Sequence, residues 1–368
     1  MASQQNNTKE RKTSKFKLKL LAAMCLQPEA RNEEKKGGYP GGRFKRFFDT
    51  YKANSANLMT ANALTLIFAL PILAIIIVVS VFGVERLGYM LAGLGNDIPY
   101  LMSDVGIGLS GGMSINEAKL YMLDVYRLIF LAVGVGIAVL GFGAAGHIYI
   151  DTKLIWGESF ITKKDKKTGA DVPRIVTEFF RGVKAYWKEM VIVFAGYGIF
   201  FAGGVNLILE FVSGVWSGGA NVGQWFALFI GCIILLAATP VFFNLVPQVV
   251  SYHKTLNLAQ KLKNAVIYTL AFPIPTYIMI IFAFGPYALM AINSPIITIL
   301  IGMLLIALGM TFTFLIMTNY ADHNSENVCQ MLYENMRTEL SRKERKEKKK
   351  KDVKPVQQVK YKKKKKKS

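Results

Sequence analysis

Six uncharged apolar runs, each about twenty residues long, leave this 368-residue chain few folds to adopt. They fall at roughly 61–83, 128–150, 190–213, 225–249, 266–292 and 295–318, and Glu210, near one end of the third, is the exception to their lack of charge. A helix of that length spans the hydrocarbon core of a bilayer. Inside that core only structures that satisfy their own backbone hydrogen bonds survive. The chain is 52% hydrophobic and 12% aromatic, well beyond an ordinary soluble domain. The expected fold class is all-α: a polytopic membrane protein of six transmembrane helices with cytosolic amphipathic helices.

The lysines and arginines orient the bundle. Of 45 in the chain, 42 fall in alternate connections: residues 1–60, 151–189, 250–265 and 321–368. The connections between carry almost none: Arg86 and Lys119 lie in 84–126, Arg127 sits at its boundary, and 214–224 has neither residue type. Positive residues stay on the cytoplasmic side. Both termini are therefore expected in the cytosol.

Three parts follow. Residues 1–42 read as a disordered basic cytosolic arm. Residues 43–320 form the six-helix membrane domain, with an outer loop at 84–126 and a cytosolic loop at 151–189. Residues 321–368 read as a cytosolic helix followed by a lysine-rich disordered tail. From Arg342 to Ser368 there are 16 Lys/Arg against three acids, and the run ends in Lys362, Lys363, Lys364, Lys365, Lys366 and Lys367. Such a tail seeks a polyanion. Anionic lipid headgroups and RNA are the two expected, with no DNA partner.

Apolar and basic residues interleave at helical spacing in two stretches before spans. Arg43 to Lys52 carries Phe44, Phe47, Phe48 and Tyr51 among its cations. The second has Pro173 in its first helical turn. It then places Phe179, Phe180 and Trp187 on one apolar stripe, with Arg181 and Lys184 on the polar side. Both fit an interfacial amphipathic helix. They share the pattern FFxxxKA, and Lys254 to Asn264 leads into span five in a similar way. Three parallel units, each a lead-in helix followed by a helical hairpin, account for this order. Ser114-Ile115-Asn116-Glu117 reads as a capping box starting a helix that runs into span two.

Span two also holds Gly134, Ala138, Gly141 and Ala145, a small-residue seam that admits a close neighbour. Prolines at Pro71, Pro240, Pro247, Pro273 and Pro275 predict kinks, because each removes a backbone donor. By orientation, those of spans four and five share the cytosolic half with His147. Asn244, Gln248, His147 and Tyr277 are thus candidates to line a polar vestibule. The plainer reading, which we prefer, has Asn244 and Gln248 satisfying the interrupted backbone. Glu210 reads as an interfacial carboxylate facing water.

Three cysteines and three histidines are scattered without metal-ligand spacing, so neither a disulfide framework nor a metal site is expected. No serine–histidine–aspartate set, HExxH or phosphate loop is present. The chain is expected to be no enzyme and to use no cofactor.

Three ordered stretches resemble the YesL-like bacterial membrane proteins (the DUF624 family). They are Asn62-Ala63-Leu64 with Phe68-Ala69-Leu70-Pro71; Gly141 to Ala145 through Lys153 to Glu158 and on to Glu178-Phe179-Phe180-Arg181-Gly182-Val183-Lys184; and Pro247, Leu262-Lys263-Asn264-Ala265 and Pro273. The long outer loop, the N-terminal arm, the lysine tail and Gly143-Ala144, where that family commonly has a proline, depart from it. The resemblance implies a multi-pass protein of a bacterial plasma membrane, of a kind that often accompanies sugar uptake or glycan use. It transfers no catalytic residue. Function is expected to be accessory or regulatory to a transport system, with transporter subunits as partners. The alternatives are a biogenesis factor docked to ribosomal RNA through the tail, and a small-molecule transporter.

Overall fold

The structure, a computed structural model, describes residues 43–79, 115–158, 160–164, 171–253, 255–289 and 299–324. The N-terminal arm, most of the outer loop and the lysine tail lie outside the described residues. Contacts divide the chain into Pro28–Asp322 and a second unit of Met1–Gln27 with His323–Ser368.

Within the first unit the elements run α1 (Arg43–Ala53), α2 (Ser55–Val79), α3 (Ile115–Trp156), β1 (Thr162–Lys164), β2 (Asp171–Pro173), α4 (Ile175–Trp216), α5 (Val222–Ser251), α6 (Leu258–Ala271) and α7 (Pro273–Ala288). The last described helix, α8, spans Ile299–Asn324. Among the described residues, five helices are long and apolar enough to cross a membrane. They become six if α6 and α7, which meet at a 100° bend, make one broken span. The described parts of the expected apolar runs therefore fall on helices, and among the described residues one pair of strands departs from an all-α chain: β1 and β2 pair antiparallel, Thr162 opposite Pro173.

The helix ends differ from expectation in a consistent way. α3 and α4 are each 42 residues long; at the end joined by β1 and β2, α3 continues to Trp156, past the run ending at 150, and α4 starts at Ile175, before the run beginning at 190. Asp151 and Lys153, assigned from sequence to a loop, are buried side chains of α3. Pro173 closes β2 instead of opening the helix, which starts at Ile175. The amphipathic stretch around Phe179 is the first third of α4, not a separate surface helix.

Proline and asparagine explain the breaks. Phe272 has no helical ψ, and Pro273 follows at the first position of α7, where its missing N–H costs nothing. Asn221 and Asn257 open α5 and α6 with reciprocal capping boxes to Gln224 and Gln260. α4 ends at a turn where Gly218 and Gly219 take φ of 106° and 147°, accessible at little cost only to glycine.

The glycine seam of span two performs as its spacing implies. A Cβ on Gly134 would stand 2.9 Å from the Gly198 carbonyl oxygen, and one on Gly198 would overlap the Gly134 carbonyl. Gly141 lies equally close to the backbone of Met190 and Val191. α3 and α4 thus touch backbone to backbone. Gly204 and Gly231 repeat the arrangement between α4 and α5.

The two FFxxxKA segments are equivalent in burial as well as in sequence. Phe47 and Phe179 are 4% and 0% exposed, while their neighbours Phe48 and Phe180 are 57% and 50% exposed. Each pair is edge-to-face, at 5.2 and 5.6 Å. Phe47 packs on Phe312 of α8, and Phe179 on Phe68 of α2. In α6, Lys261 is buried and Leu262 and Lys263 are exposed, and Lys261 pairs with Glu189 of α4. Each lead-in helix therefore meets a helix of the preceding unit, in cyclic order.

Candidate functional site

The polar side chains singled out from sequence take part in two sets of hydrogen bonds. Pro240 has no N–H, so the carbonyl of Leu236 one turn earlier lacks its helical partner. The Tyr277 hydroxyl of α7 donates to that oxygen at 2.6 Å. Asn244 Nδ2 donates to the Pro240 carbonyl at 3.0 Å and lies 3.2 Å from the Thr269 hydroxyl of α6. Gln248 Nε2 donates to the Asn244 carbonyl at 2.8 Å. Of the three, only Tyr277 reaches a carbonyl freed by a proline; Asn244 and Gln248 bond the carbonyls of Pro240 and Asn244, which no proline frees, and brace the helix without repairing it. The buried Asn244 Oδ1 and Gln248 Oε1 have no hydrogen-bond partner among the described residues. Pro71, Pro240 and Pro247 lie inside α2 and α5, while Pro273 and Pro275 stand in the first turn of α7.

His147 belongs to a different assembly, which joins α2, α3 and α8. Its Nδ1 lies 2.8 Å from the Thr65 hydroxyl of α2, and its Nε2 lies 3.1 Å from the Thr311 hydroxyl of α8. The ring meets Phe314 edge-on at 5.3 Å. One turn from Thr65, Asn62 completes the clamp. Its amide donates to the Ile306 carbonyl at 2.7 Å and accepts from the Thr311 N–H at 3.0 Å. One turn along α3, Asp151 is fully buried, and its Oδ1 stands 3.8 Å from His147 Nε2. Neither Asp151 oxygen has a hydrogen-bond partner among the described residues.

Sequence reasoning found His147 and missed its partners. Asn62, Thr65 and Thr311 lie inside apolar runs, where a single polar residue leaves periodicity unchanged. The available signal was Asp151, four residues after His147 and on the same helix face.

Ion pairs surround the charged end of the bundle. Lys153 lies 3.3 Å from Glu178, whose Oε1 also accepts the Ile161 N–H. Asp322 of α8 accepts from Trp156 of α3 at 3.1 Å and from Arg46 of α1 at 3.4 Å. At the opposite end, Arg127 bridges Asp124 and Glu210 at 2.8 and 2.5 Å. Glu210 is thus an exposed carboxylate held by a partner across α3 and α4. In the amphipathic stretch Phe179 is buried, while Phe180, Arg181, Lys184 and Trp187 are exposed. Lys362 to Lys367 lie outside the described residues.

No group of three or more His, Cys, Asp or Glu side chains is placed to hold a metal ion among the described residues. A groove of about 510 Å³ opens between α4, α5 and α6, with Tyr197 the one lining residue whose side chain carries a polar atom. No family model, curated protein or solved structure matches this chain.

Proposed function

We propose that this chain is a non-enzymatic, multi-pass protein of a bacterial plasma membrane that serves a transport system as an accessory or regulatory component. The observation that carries the reading is the use made of interior polar groups. Asn62, Thr65, His147, Asn244, Gln248 and Tyr277 bond to neighbouring helices or to their own backbone. Bonds of this kind brace a scaffold, which supports an accessory role. The groove between α4, α5 and α6 is almost wholly apolar. A sugar placed there would lose hydrogen bonds to water without replacement, at a cost of about 1–3 kcal/mol per group. That weighs against a sugar site in this groove, whereas a second cavity of about 600 Å³ is lined in part by Arg127, Asn206 and Glu210. The resemblance to YesL-like proteins supports carbohydrate uptake as the system served.

In this reading both termini are cytosolic. The lysine tail lies against anionic headgroups, each Lys/Arg contributing about 1 kcal/mol near the surface. Docking to ribosomal RNA is the second reading, and the six consecutive lysines favour it. Crosslinking and mass spectrometry of the tagged protein in its own cells, full length beside a chain ending at Ser341, separates the two. Transporter subunits recovered with both chains are the expected result. Ribosomal proteins lost only with the truncation establish the second reading, and recovery of neither class overturns both.

A further inference from the structure

The geometry around His147 points to a binding site for one proton, shared between His147 and Asp151 and wired to three helices; this inference is independent of the transport reading. Both side chains are fully buried. A lone carboxylate there would cost several kcal/mol, and a lone imidazolium as much. With one proton between them the pair is neutral overall. That proton resides on the carboxyl, beside a neutral imidazole, or on the ring, beside a carboxylate 3.8 Å away. The two arrangements differ only in where the proton sits.

Hydrogen-bond accounting shows why the ring responds to it. Thr65 has one hydroxyl proton and two acceptors in reach, the Ala61 carbonyl and His147 Nδ1, each at 2.8 Å. Thr311 is in the same position, between the Leu58 carbonyl at 2.9 Å and His147 Nε2 at 3.1 Å. An imidazolium donates from both nitrogens, so both threonines keep their protons on the carbonyls. A neutral imidazole has one bare nitrogen, and the threonine facing it must turn its proton to the ring. Moving the proton therefore changes a bond to α2 or to α8.

Other charged groups nearby are already compensated. On α3 and α4, Lys153 is paired with Glu178. On α1 and α8, Arg46 is paired with Asp322. α2 presents Asn62 and Thr65, neither of which titrates. His147 is the one cation-capable group within 4 Å of Asp151 among the described residues.

Proton counting gives the test. In the unfolded chain at pH 5–6 the histidine is protonated and the aspartate ionised, so the pair again holds one proton. Above the free histidine value of about 6.5 it holds none. Native protein that keeps one proton therefore loses stability as pH rises through that range. The loss is about tenfold in the folded-to-unfolded ratio per pH unit. In Asp151→Asn the native pair holds no proton. Its stability falls below about pH 6.5 and is flat above it. Subtracting the two profiles cancels every other group and leaves a difference of about tenfold per pH unit from pH 5 to 8.

The measurement is denaturation of the full chain in lipid nanodiscs, followed by tryptophan fluorescence across that range. Asp151→Leu gives the same difference and serves if Asp151→Asn does not fold. His147→Gln with and without Asp151→Asn must show it too, since the carboxyl then carries the proton alone. Variant and wild-type profiles that run parallel from pH 5 to 8 overturn the proposal.

Discussion

At the scale of single residues, burial makes the two members of an ion pair unequal. Lys261 is fully buried, whereas Glu189, which it bonds, is 31% exposed. Removing the carboxylate strands an ammonium with no access to water, and breaking a buried pair this way costs about 3–5 kcal/mol. Removing the lysine leaves a carboxylate that turns to solvent, where such pairs contribute only about 0–1 kcal/mol. Glu189→Leu is therefore expected to destabilise the protein several kcal/mol more than Lys261→Met, whose unbranched chain fills the same space. Chemical denaturation of both variants reads the difference. Equal costs would mean that Lys261 reaches water and is not held as described.

At the scale of elements, glycine decides where helices meet. Gly198 faces Gly134 across the α3–α4 crossing, but nothing lies within 4 Å of a Cβ placed on Gly203. Gly198→Leu must push the helices apart, and overpacking of this kind costs about 1–3 kcal/mol or more. Gly203→Leu adds an apolar side chain to an open face and is expected to be neutral. The pair of denaturation midpoints tests the crossing directly, and equal effects of the two leucines would refute it. The crossing was legible beforehand, because Gly134 and Gly141 mark one face of an otherwise bulky span. The extension of α3 past Ile150 to Trp156 was not. Asp151 and Lys153 read as loop residues; Asp151 could have been paired with His147 by its i+4 spacing, but Lys153 meets Glu178 25 residues on, which sequence distance alone does not reveal. The bend at Pro273 was expected as a kink. Its 100° angle arises because Phe272 leaves helical geometry just where proline removes the next donor. Asn62 illustrates the limit best: its two bonds to α8 reach 244 and 249 residues along the chain. No local pattern encodes such a partner.

For the whole molecule, the charge rule and the packing bear on one question: whether the bent pair α6–α7 crosses the bilayer. α2, α3 and α4 place the glycine turn after α4 opposite α1, and α5 returns the chain to the α1 side. At about 1.5 Å per residue, the 26 residues of α8 extend about 39 Å, enough to cross once. Its end at Asp322 is bonded to Arg46 of α1 and Trp156 of α3. α8 therefore finishes at the α1 end and must begin at the other. The chain reaches that starting point only if α6 and α7 together cross. Seventeen Lys/Arg in residues 321–368 favour the same side as the thirteen in residues 1–60. Single cysteines in a background lacking Cys25, Cys232 and Cys329 test this. A membrane-impermeant maleimide applied to intact cells is expected to label Ser217→Cys. It should reach Lys52→Cys and Ser368→Cys only after permeabilisation. Labelling of Ser368→Cys from outside, with Lys52→Cys protected, would make the bent pair a re-entrant element that returns to the side it left. It would also remove the geometric basis for joining α8 to α1 through Asp322.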